Sequence, residues 1–329
     1  MPDQRKTRRP PKRKDRLELV TRYAGGALLK VLAETSGEFI FRQRLIQEIE
    51  EERKRRLITY ITNVDHPAVQ IDLNDAHNLE TCFRAPSDFR AIDLVVHSPG
   101  GQADAAERII NLARSYSGND FRVIVPSYAK SAATIIALGA DAVVMSDGSE
   151  LGPIDPQLII TGPQGSTRRA AASFVEHRDE LLQRIKNGVQ TQEPIHGYMQ
   201  MLQQVDGPFV KDCERAINLS REMARKWLRS HMMKGKSASE IDRAIDEFSN
   251  PTKTLSHGRM IDYRQAESVG IEVEYIAKDS ELWEMILELL FRSTNFLNME
   301  ASRIKLYECS TVSLKADAII RAMPFRQRD

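Results

Sequence analysis

A mixed α/β fold is predicted by three observations on this 329-residue chain. Nearly continuous apolar runs, AIDLVVHS at 91–98, FRVIVP at 121–126 and DAVVMS at 141–146, have the composition of strands buried on both faces. Helical segments alternate with them at intervals of about 20–30 residues, which implies right-handed crossovers and stacked β-sheets flanked by helices. Hydrophobic residues at 41% and charged residues at 28% are the proportions of an ordinary globular protein, so a core of that kind can be filled.

Residues 1–16 hold eight Lys/Arg against two Asp/Glu, a local charge of +6, while the whole chain carries only +1. The remainder is therefore slightly acidic. The basic charge reads as a disordered arm over 1–20, able to contact an anionic partner or surface, and not as a face of the folded body. Residues 34–56 repeat Phe39, Leu45, Ile46 and Ile49 at helical spacing. LITYITN at 57–63 is a β-branched strand, and 72–84 is a helix capped by Asp72. After the strand at 91–98 comes PGG and a helix. After the strand at 121–126, AKSAATIIALGA (129–140) reads as a helix of small and apolar residues. DGSELGPIDPQL (147–158) is a rigid loop rich in Gly, Pro and Asp.

Residues 163–206, polar and bounded by Gly162-Pro163 and Glu193-Pro194, read as an irregular insertion beside the core. Long helices are expected at 208–233 and at 237–248, the second with a Ser237/Glu240 capping box. A helix leading to a strand follows at 257–276, then an apolar helix at 280–297. The expected organisation is the basic arm, one domain over 34–275 containing the insertion, and a C-terminal helical extension over 280–329. No run of 18 apolar residues occurs, so no transmembrane helix is expected, nor is a secretory signal. Cys82, Cys213 and Cys309 are odd in number and far apart, which fits free thiols in a cytoplasmic protein. No Cys/His cluster has metal-ligand spacing. Neither a GxGxxG nor a P-loop motif is present, so no metal, nucleotide or other cofactor is expected.

Three features lie close in sequence and would converge in space. HSPGG (97–101) ends a buried strand, and its glycines let backbone N–H groups approach a ligand closely. Ser131 opens the small-residue helix. It reads either as a helix N-cap or as a nucleophile whose oxyanion the Ala132 N–H would bind. The loop at 147–158 would line a substrate groove through Gly152, Pro153 and Asp155, or simply join two strands.

The order of LVVHSPGG, AKSAATIIALGADAVVMSDGSELGPIDPQL and, more weakly, SHGRMIDYRQAESVGIEV (256–273) resembles the Clp-fold serine peptidases. The resemblance is strongest to the signal peptide peptidase A-like branch known as the serine dehydrogenase proteinase family. It implies a Clp/crotonase fold and a serine-type endopeptidase with Ser131 as nucleophile. It further implies an oxyanion hole at Gly100, Gly101 and Ala132, a peptide or protein substrate, and a homo-oligomer. The histidine base of the Clp branch would fall near Gly152 and Pro153, where this chain has none. The lysine of the peptidase A branch points to Lys186, the only lysine between 131 and 210, and so to a Ser-Lys dyad. His177 and Asp155 are the fallback bases. The alternatives are a crotonase-type acyl-CoA enzyme, which would want a catalytic carboxylate, and a catalytically silent scaffold or assembly protein.

Overall fold

The computed structural model describes residues 38–66, 68–162, 165–192, 194–250 and 258–318. The expected basic arm, Pro163, Glu193 and His257 lie outside the described residues. The chain opens with α1 (Glu38–Arg53) and β1 (Arg56–Thr62), followed by α2 (Leu73–Arg84), β2 (Ile92–His97), α3 (Ala103–Tyr116) and β3 (Phe121–Ile124). Next come the short strand β4 (Tyr128–Ala129), α4 (Ala132–Leu138), β5 (Ala142–Met145) and the short strand β6 (Glu150–Leu151). A hairpin of β7 (Gln157–Gly162) and β8 (Gly165–Ala170) precedes α5 (Ala171–Thr191), α6 (His196–Gln203), α7 (Gly207–Ser230) and α8 (Ala238–Ser249). The chain then runs through α9 (Tyr263–Ser268), β9 (Val273–Tyr275), α10 (Glu281–Asn298), β10 (Arg303–Glu308) and β11 (Ser313–Asp317).

Seven of these strands form one sheet in the order β11-β10-β1-β2-β3-β5-β9. From β1 to β9 the neighbours are parallel, and β10 and β11 add an antiparallel edge. The apolar runs are strands because both of their faces are covered. Ile92, Leu94 and Val96 point into a core built with α2, α3 and α4, while Val95 points the other way toward α1 and α10. Asp93, on that second face, is held by Arg53 and Arg55 and so is not a buried unpaired charge. The Asp72 cap and the Ser237/Glu240 capping box both form.

Two regions differ from expectation. The segment over 163–206 is not irregular: it holds the second half of a hairpin and two helices, and α5 buries Leu181 and Gly188 in packing against α7. Its Glu, Arg, Leu and Gln content favours helix, and its polarity reflects how little of its surface is buried. Beyond α10 the chain does not stay helical. β10 and β11 join the main sheet through β1, so this C-terminal region is part of the same sheet as β2. Among the described residues no helix is long and apolar enough to cross a membrane.

Candidate active site

The two sequence motifs meet because Ser98, just past the end of β2, forms a parallel bridge with Ala129 of β4. Ser98 donates its N–H to Tyr128 O at 3.3 Å and accepts from Lys130 N–H at 3.1 Å, which sets HSPGG beside YAKS. A Cβ added to Gly100 (φ +98°) would lie 2.6 Å from Ser131 Cβ and 3.0 Å from Ala132 N. Only glycine permits that approach.

Ser131 has φ 54° and ψ −121°, and its side chain makes no capping hydrogen bond. An N-cap serine has extended backbone and gives its oxygen to an N–H of the first helical turn. Ser131 does neither, so the capping alternative fails on both counts. Its conformation is one that a side chain occupies at a cost of about 1–3 kcal/mol, the kind of strain that concentrates at functional sites. It also resembles the exposed turn on which hydrolase nucleophiles sit. Lys130, next in sequence, is turned away: its Nζ bonds Glu150 Oε2 at 2.6 Å and the carbonyls of Leu151 and Arg259 at 3.2 Å each.

Of the three expected oxyanion donors, Gly100 gives its N–H to Ser98 Oγ at 3.1 Å and is occupied. The N–H groups of Gly101 and Ala132 take no acceptor among the described residues. Gly101 is held from behind by Ile71, whose N–H donates to Gly100 O and whose O accepts from Gln102 N–H, both at 2.9 Å. A Cβ on Gly101 would sit 2.2 Å from Ile71 N.

Ser131, Gly100, Gly101 and Ala132 border a cleft of about 220 Å³. Its other walls are Val69 and Gln70, the hairpin residue Arg168, and Ala216, Leu219 and Ser220 of α7. The 147–158 loop contributes Ile154, Pro156 and Gln157. Gly152 and Pro153, expected in the groove, are instead buried behind it: Gly152 exchanges hydrogen bonds with Thr134, and a Cβ there would meet Lys130 Cδ at 2.3 Å. Asp155 points into a second, largely apolar pocket of about 200 Å³, which shares Ile154, Pro156 and Ser220 with the cleft.

The structure does not bring the expected bases to Ser131. Among the described residues no lysine, histidine, aspartate or glutamate lines the cleft, and the Ser131 hydroxyl makes no hydrogen bond. Lys186 and His177 are exposed on α5. Lys186 lies 14 residues beyond Ala172, which borders the second pocket, and so about 21 Å farther along the helix axis. Asp155 is buried and already partnered. His97 is buried against Tyr128 with ring centroids 4.5 Å apart, and its Nδ1 has no hydrogen-bond partner. Burial lowers its pKa to about 4. Sequence reasoning missed Ile71, Arg168 and the α7 wall. Ile71 acts through its backbone and the others through tertiary placement, so residue type gave no signal.

A family model described as ClpP-like SDH-type serine proteinase matches residues 28–178. The matched residues, a little under half of the chain, are similar to that family. The match takes in both motifs, Ser131 and the loop that follows, and the fold is of the ClpP-like kind. The chain is also similar to two curated proteins of Methanocaldococcus jannaschii, uncharacterized proteins MJ0137 and MJ1495. Each is 35% identical over 124 residues, which is 36% of this chain. The matches span 43% and 42% of those relatives' own length, less than half of each. Among solved structures, an alanine mutant of 1510-N, a membrane-bound stomatin-specific protease, is loosely similar. Its TM-score is 0.38 and its identity 17%, covering 68% of this chain and 80% of that one.

Proposed function

We propose that this protein is a serine peptidase that cleaves peptide or protein substrates with Ser131 as nucleophile. The observation that carries the proposal is the Ser131 backbone, held at φ 54° and ψ −121° with its hydroxyl free of the helix and bordering the cleft. Ser131 Oγ would attack the scissile carbonyl carbon. The N–H groups of Gly101 and Ala132 would hold the oxyanion, the C–N bond would break with a proton passing to the departing amine, and water would release the acyl group.

A proton acceptor is required, and none lines the cleft among the described residues. We assign it to Lys186, acting after displacement of α5 or from a second copy, because Lys186 does not line the cleft in the chain as folded here. A homo-oligomer accords with this assignment. Phe291, 64% exposed on α10, and the outer face of α7 are the proposed contact surfaces.

The missing acceptor also favours one other reading, a silent scaffold with the same fold. The acyl-CoA alternative gains nothing, since its carboxylate is likewise missing from the cleft walls. A fluorophosphonate probe separates the readings. Labelling of wild type, abolished in Ser131→Ala and slowed in Lys186→Ala, is the expected result. A folded wild type that takes no probe excludes the peptidase, and an unchanged Lys186→Ala rate moves the base elsewhere.

A further inference from the structure

We infer that Lys305, on the last strand but one, is a positioning residue for the oxyanion hole. The inference rests on the peptidase reading for its chemical consequence, although the link itself is structural. Lys305 is 1% exposed and lies far outside the family-matched residues. A buried ammonium persists only when paired, and this one is paired twice: with Asp72 Oδ2 at 2.9 Å, and with Asp75 at 2.8 and 3.0 Å.

Asp75 is the centre of the cluster. Also 1% exposed, it accepts from Lys305, from the hydroxyls of Tyr60 and Tyr307, and from the Asp72 N–H at 2.8 Å. The cluster therefore fixes the first turn of α2 and the peptide unit between Ile71 and Asp72. Ile71 is the residue that grips the SPGG turn, bonding Gly100 O and the Gln102 N–H on either side of Gly101. With a would-be Gly101 Cβ only 2.2 Å from Ile71 N, there is no slack between the two backbones. The route is short and made of covalent or hydrogen-bonded steps: Lys305 to Asp72 and Asp75, Asp72 to Ile71, and Ile71 to the turn bearing the Gly101 N–H.

Removing the ammonium leaves Asp75 buried with hydroxyl and amide donors only. It also leaves the Asp72 carboxylate held only by its cap, through the Asn74 N–H at 2.7 Å. Ile71 then moves with Asp72, and the Gly101 N–H loses its aim. A misplacement of about 1 Å at such a donor costs on the order of a hundredfold in rate, so a partial shift is expected to cost about tenfold.

The test uses the full chain as wild type, Lys305→Met, the milder Tyr307→Phe, and Arg42→Met. The last breaks another buried ion pair on the same strand, Arg42–Glu308, which touches neither Asp72 nor Asp75. Two quantities are read below the melting temperature of every variant. One is the split of fluorophosphonate inactivation into kinact and KI; the other is hydrogen exchange at the amides of Ile71 and Gln102. Lys305→Met is expected to lower kinact about tenfold with KI within about twofold, and to speed exchange at both amides. Tyr307→Phe should move both in the same direction by less, and Arg42→Met neither. The inference is overturned if Lys305→Met keeps wild-type kinact and exchange, or if Arg42→Met reproduces its effects. A wild type that takes no probe refutes the peptidase reading instead, and the exchange comparison then decides the link by itself.

Discussion

Replacing Ser131 by glycine should make the protein more stable than replacing it by alanine. Both substitutions remove a hydroxyl that bonds to nothing among the described residues, and both should abolish probe labelling. They differ in the Cβ. At φ 54° and ψ −121° the backbone is the mirror image of ordinary extended chain, which glycine adopts freely and an L-residue does not. The strain of a side chain there is about 1–3 kcal/mol, and the extra freedom of glycine in the unfolded chain returns about 0.5–1 kcal/mol of that. The net expectation is that Ser131→Gly exceeds Ser131→Ala by about 1 kcal/mol. Ser131→Ala itself should stay within about 0.5 kcal/mol of wild type, because no buried polar partner is stranded. Urea unfolding reads the difference directly. Trp227 and Trp283, both buried and in different helices, supply the fluorescence signal. Equal midpoints for the two variants, or a lower one for glycine, would refute the claim that Ser131 is held under strain.

At Gly101 the prediction runs the other way. Alanine there would put a Cβ 2.2 Å from Ile71 N and 2.4 Å from Ile71 O, both backbone atoms that cannot rotate aside. Gly101→Ala should cost about 1–3 kcal/mol and eliminate labelling, while Gly148→Ala, with nothing within 4 Å of its added Cβ, changes neither measurement. The third prediction concerns pH. The unfolded chain binds a proton at His97 near 6.5 but the folded chain only near 4, so the unfolded state holds more protons between those values. Stability at His97, 5% exposed, should therefore fall by about 3 kcal/mol as pH drops from 6.5 to 4, and a His97→Gln variant should lose that slope. The same slope in the variant would show that another group carries it.

The strands of the parallel sheet were legible because burial on both faces writes an apolar run into the sequence, as in Ile92–His97. Asp72 and Ser237 were legible because a cap needs a short polar side chain at one position. β10, RIKLYE, was not legible. It buries Lys305 and Glu308, and a buried charge reads as a surface residue until its partners, Asp75 and Arg42, are brought beside it by the fold. The helices of the 163–206 region were hidden for a related reason, since a mostly exposed helix carries little apolar periodicity. At the site, sequence order pointed to Ser131 and the glycines. It could not point to Ile71, whose contribution is a backbone bridge that many side chains would allow. Lys186 was chosen by its position in the sequence, and position in the sequence does not report distance along a helix.

One torsion accounts for much of what the cleft offers. Had Ser131 taken the extended backbone of an N-cap, its hydroxyl would have been spent on the first turn of α4. The positive φ turns the side chain off the helix toward the cleft, and by the same turn the Ala132 N–H has no acceptor among the described residues. Across the cleft the neighbours of Gly101 are tied down by Ser98 Oγ and by Ile71, while the Gly101 N–H is not. Among the described residues a hydroxyl and two amide donors are thus left unsatisfied around one small space, while the Gly100 and Gln102 N–H groups beside Gly101 are each bonded. Unpaired groups weaken a fold unless a ligand uses them. A surface serving only for assembly has no need of them. A site that must hold developing negative charge on a carbonyl oxygen beside an attacking hydroxyl needs all three.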